Sequence, residues 1–64
     1  MQNWEVIEEK DELGEKISKL HKYLYTNPDF VADSIGIEDY VLLQKQLIKM
    51  SEYFIILQQR ISKF

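Results

Sequence analysis

The stretch Leu43–Phe64, LQKQLIKMSEYFIILQQRISKF, decides the fold. Its apolar residues Leu43, Leu47, Met50, Phe54, Leu57, Ile61 and Phe64 are separated by alternating steps of four and three. Two helical turns hold about seven residues, so this spacing stacks one continuous stripe along one helix face. No Gly or Pro interrupts it. Val41, Leu42, Ile48, Tyr53, Ile55 and Ile56 lie beside the stripe or on other faces. From Tyr40 onward 14 of 25 residues are apolar, more than one neighbouring helix covers. More than one neighbour is expected.

Upstream, Leu13, Ile17, Leu20 and Leu24 repeat the pattern. Val6 extends it by one heptad and Ile7 flanks it, which predicts a first helix over Trp4–Leu24. Its early turns are acidic (Glu5, Glu8, Glu9, Asp11, Glu12, Glu15) and its later ones basic (Lys16, Lys19, Lys22), an order that complements the helix dipole. Glu12 with Lys16 and Glu15 with Lys19 have the favourable Glu-before-Lys spacing. Gly14 is the weak point of this helix unless a neighbour needs the room. Tyr25–Ile37 reads as the connection. Asn27 before Pro28 fits an N-cap with proline at the first helical position. Asp29–Ala32 then forms one short turn, with Phe30 packed down on the hairpin as a plug. Ser34–Gly36 breaks that turn. The last helix is expected over Glu38–Phe64, roughly 40 Å at 1.5 Å per residue. A short connection makes the two long helices antiparallel neighbours. The expectation is therefore an all-α, antiparallel helical hairpin, one domain over residues 1–64, assembled into a homo-oligomeric bundle.

Size supports the last point. A chain of 64 residues is marginal as a lone domain, and small domains recruit disulfides, metals or further copies. Cysteine is absent and His21 is the single histidine, so neither disulfides nor a metal site is expected, and oligomerisation remains. Eight basic against eleven acidic residues give a net charge of −3. That disfavours nucleic-acid polymers, which need a strong basic excess, but leaves room for a small anion held by a few cations. No run is long enough to span a bilayer and no signal-peptide pattern is present. A soluble, cytoplasmic protein is expected.

No catalytic arrangement stands out. There is no Gly-rich phosphate loop or metal spacing, Ser18, Ser34, Ser51 and Ser62 lack an evident base, and His21 reads as a rim residue. No enzyme activity and no cofactor are expected; a carboxylate enzyme using Glu5–Glu15 with a divalent metal is a remote rival. Three residues can carry binding. Trp4, at the start of the first helix, is a hydrophobic staple or a flat platform for a nucleobase. Lys19, at the stripe edge, is a snorkelling partner of Glu15 or a phosphate contact. Arg60, near the end of the last helix, complements the dipole or binds an anion with its planar fork.

The stretches EKISKLHKYLYTNPDF (15–30) and LLQKQLIKMSEYFIILQQRI (42–61) resemble a family of very small phage proteins. The shared pattern falls on Lys19, Leu20, Tyr23 and Leu24; on Phe30; on Leu42, Leu43 and Gln46; on Met50 and Tyr53; and on Leu57, Arg60 and Ile61. Lys19, Gln46 and Arg60 carry most of its weight, because the apolar positions suit any hairpin. The pattern is similar to that of the phage anti-CBASS sponges. The resemblance implies a compact helical homohexamer in the cytoplasm of an infected bacterium. Such a particle sequesters the cyclic oligonucleotides made by immune cyclases and catalyses nothing. It further implies that cyclic GMP–AMP-like dinucleotides bind between subunits, with Trp4 stacking on a base and Lys19 contacting phosphate. Cyclic trinucleotides would use a separate pocket at Arg60. Trp4 stands where the family often has tyrosine. Phe64 stands where the second pocket has a small hydroxyl residue, so the resemblance weighs more for the dinucleotide pocket. The rival reading is a non-catalytic phage interaction module that binds a protein through Tyr40, Tyr53 and Ile55.

Overall fold

The computed structural model describes residues 3–64. Three helices follow in order: α1 (Asn3–Thr26), α2 (Pro28–Ile35) and α3 (Ile37–Ile61). The two long helices form an antiparallel hairpin and α2 closes one end, packed against both. The whole is a rod of 44 × 15 × 15 Å. No described helix is long and apolar enough to cross a membrane.

The expected stripes meet in the interior. Leu24, Val31, Tyr40 and Leu47 form the buried core, with Ile17, Leu20, Ala32, Ile35 and Leu43 packed around it. Leu24 and Leu57 are 0% exposed. Val6 and Leu57 are buried towards the open end of the hairpin, which the antiparallel course brings opposite each other. Gly14 does have a neighbour that needs the room. A Cβ built there would lie 3.1 Å from Phe54 Cε2, so an alanine would force the ring aside by a few tenths of an ångström.

The corner depends on Pro28. In an α-helix the carbonyl of Leu24 would accept from the N–H of residue 28, and proline has none. The Tyr40 hydroxyl takes that place, donating to the Leu24 carbonyl oxygen at 2.9 Å from across the hairpin. Burial pushes the Tyr40 phenol above its ordinary range, and the charges of Tyr25 and Asp29 add to this, so the donor keeps its proton at neutral pH. This places Tyr40 inside, where the interaction-module reading required it on the surface.

The connection departs from expectation in three ways. First, α2 has two turns and not one: Ser34 bonds back to the Phe30 carbonyl at 2.8 Å, so it stays helical in spite of its turn preference. The break comes at Gly36 alone, with φ +90° and ψ 150°, a region essentially restricted to glycine. Second, Asn27 occupies the N-cap position but its side chain makes no capping bond. Third, Phe30 is not a plug. The inner face of α2 is made by Val31, Ala32 and Ile35, and Phe30, about 100° round the helix from Val31, is 66% exposed.

The last helix also ends early. Lys63 and Phe64 bond back only three residues, to Arg60 and Ile61, at 3.2 and 3.1 Å. This tighter turn takes Phe64 off the stripe and leaves it exposed. A second apolar stripe of α3 has no cover: Val41, Ile48 and Ile55 recur every seven residues and all are exposed, as are Leu42 and Ile56 on the far face.

Tyr40→Phe removes the hydroxyl and keeps the ring. With the Leu24 carbonyl left unpaired, the melting temperature should fall by about 4–8 °C, the shift expected of one buried hydrogen bond in a domain of this size. Differential scanning calorimetry at fixed protein concentration measures it; an unchanged transition would refute the role given to this bond.

Candidate functional site

Trp4 and Lys19 both belong to α1 and both are exposed. Trp4, at 61%, is among the most exposed large apolar side chains of the hairpin. Fifteen residues separate it from Lys19, about 22 Å along the axis and about 60° round it. The two share a side of the helix but lie too far apart to hold one small molecule. Arg60 is exposed on the last turn of α3. Because the helices run antiparallel, Trp4 and Arg60 lie at the same end of the rod and Lys19 lies towards the α2 corner.

Beside Arg60 is a contact that no sequence motif announced. Tyr53 donates a hydrogen bond to Glu9 Oε2 at 2.5 Å, tying α3 to α1. Arg60 lies one heptad after Tyr53 and acts on it electrostatically. A phenol and a carboxylate therefore meet towards the open end, with the Arg60 guanidinium two turns further along α3. The antiparallel register was the one available signal, since it sets the early acidic turns of α1 against the late turns of α3.

Lys19 stands between two grooves. One runs between α1 and α3 over Gly14 and has a volume of about 720 Å³; Lys10, Asp11, Glu15, Ser18 and Phe54 also line it. Lys10 is already paired there with Asp11 at 2.9 Å. The other groove, about 440 Å³, lies at the α1–α2 corner, where Lys22, Tyr23, Asn27, Phe30 and Val31 join Lys19. His21 stacks at a tilt on Tyr25, with ring centroids 4.9 Å apart, and the Tyr25 hydroxyl accepts from Gln44 Nε2 at 3.2 Å. Among the described residues no three His, Asp or Glu side chains converge as a metal site would require.

A family model described as Sequestin matches residues 3–63, nearly the whole chain. Comparison with curated proteins and with solved structures returns no match.

The Tyr53–Glu9 bond generates a pH prediction. The hydrogen bond to Glu9, together with desolvation and the Glu9 charge, pushes the Tyr53 phenol above its ordinary 10.0, while Arg60 pulls it down. A phenol held neutral stabilises the fold below pH 10, and that contribution is lost as pH rises through the raised value. Tyr53→Phe should therefore flatten part of the fall in urea midpoint as pH rises through and above the ordinary phenol value of 10.0. A pH profile identical to wild type contradicts this.

Proposed function

The chain belongs to the Sequestin family, and from that membership we propose that it is a phage sponge working in the cytoplasm of the infected bacterium. It captures cyclic oligonucleotide immune signals and holds them chemically unchanged, so that the effector of a CBASS-type defence stays off. The observation that carries this reading is the family match over residues 3–63, whose name denotes sequestering.

The physical reading agrees. Dinucleotide capture by Trp4 and Lys19 requires two copies of the chain, because about 22 Å separates them on one helix. Antiparallel neighbours would bring one chain's Trp4 beside another chain's Lys19. The uncovered stripe Val41–Ile48–Ile55 supplies a reason for copies to associate, since large exposed apolar patches mark interaction surfaces. The proposed particle is a homohexamer with dinucleotide sites between subunits and a trinucleotide site at Arg60. A net charge of −3 would repel nucleic-acid polymers while local cations hold small anions. No reaction is proposed.

Calorimetric titration of cyclic GMP–AMP and of a cyclic trinucleotide tests the reading. Trp4→Ala should weaken dinucleotide binding about 5- to 150-fold, the range of one lost stacking contact, and Lys19→Glu should abolish it. Arg60→Glu should affect the trinucleotide alone. Native mass spectrometry should show a particle of several chains. A monomer, or a wild type that binds neither ligand, would sink the proposal.

A further inference from the structure

Lys19 lines two grooves, and the structure distinguishes them by charge. We propose that the cyclic dinucleotide lies in the α1–α2 corner groove, with Lys22 as a second cation beside Lys19 and the rings of Tyr23 and Phe30 as the surface for a base. This rests on the functional reading above and specifies where its ligand sits.

The Gly14 groove is the larger but the wrong kind. Asp11 and Glu15 face the same space as Lys10 and Lys19, and Lys10 is committed to Asp11. A phosphodiester there would meet as many carboxylates as ammonium groups. The corner groove has two lysines and no carboxylate in its lining. Its floor includes the buried Val31, and both Tyr23 and Phe30 are exposed around it. Phe30 has no polar group to justify its exposure to water. A phenyl ring beside two ammonium groups suits a ligand that is at once aromatic and anionic, because every base has a face to stack and a phosphate to pair. The volume of about 440 Å³ falls within the usual range for small-ligand sites.

Asn27 adds a third kind of contact. It sits at the N-cap of α2, yet its side chain makes no capping hydrogen bond. An amide carries both donors and an acceptor, and this one lines the groove. It can read a base edge, which stacking alone cannot do. Thus Lys19 and Lys22 hold phosphate, Tyr23 and Phe30 hold a ring, and Asn27 discriminates between rings.

The test is calorimetry with cyclic GMP–AMP on the whole assembled protein, each variant first checked for unchanged native mass. Lys22→Glu and Phe30→Leu should each weaken binding about fivefold or more, while Phe30→Trp, which keeps an aromatic face, should stay near wild type. Asp11→Asn, in the other groove and paired there with Lys10, should change nothing. If Lys22→Glu binds like wild type while Trp4→Ala and Lys19→Glu do not bind, the corner groove is wrong and the functional reading survives. If Asp11→Asn alters affinity and Lys22→Glu does not, the ligand lies over Gly14. A wild type that takes up no cyclic dinucleotide ends both proposals. Lys22 has an exposed side chain, so its variant stays decisive even if Phe30→Leu disturbs the assembly.

Discussion

A proline without an N–H and a tyrosine that makes up for it hold this hairpin in register. Two helices with apolar stripes at heptad spacing agree on which faces meet, but a slide of one turn would bury similar side chains. The Tyr40 hydroxyl cannot slide: it has one carbonyl to reach, that of Leu24, and does so at 2.9 Å. With that pair set, Phe54 falls on the one residue of α1 without a side chain, Gly14, and Tyr53 falls opposite Glu9. A buried polar contact thus specifies what the greasy surface leaves degenerate.

The resulting molecule is long for its size. Its radius of gyration is 14.3 Å, against about 10.7 Å expected of a compact chain of this length. One helix thickness of neighbour lies on one side of α3, and the other sides carry Val41, Leu42, Ile48, Ile55 and Ile56 in contact with water. The same elongation keeps Trp4 and Lys19 apart. Surplus apolar surface and the distance between Trp4 and Lys19 are two results of one shape, and the proposed many-copy particle would answer both.

Much of this was legible in the sequence, and the failures have identifiable causes. Periodicity placed the long helices and their inner faces because a stripe along a helix repeats regularly. The glycine in α1 was recognisable as an open position, though not its partner. Phe30 was assigned to the opposite side from where it lies, because its phase depends on how many residues α2 contains; Tyr40, surface-facing only in the rival reading, stands three residues before Leu43 and so continues the inner stripe of α3. Ser34, read as a breaker, back-bonds and lengthens α2. Phe64 fitted the stripe by number, but the chain tightens before reaching it. Trp4, Lys19 and Arg60 were singled out through resemblance and residue chemistry, since exposed positions off the inner stripe leave no periodic imprint. The Glu9–Tyr53 contact and the corner groove needed the fold, because each joins residues from separate helices.

Gly36 has nothing within 4 Å of where a side chain would start, so packing alone would admit any of the twenty amino acids there. Handedness forbids it. At φ +90° the backbone demands a residue with no stereocentre or one of the opposite hand, and ribosomal synthesis offers only the former. The roomiest position at the corner is thereby among the least free to drift, and a chain made chemically with D-alanine at this position would meet no such bar.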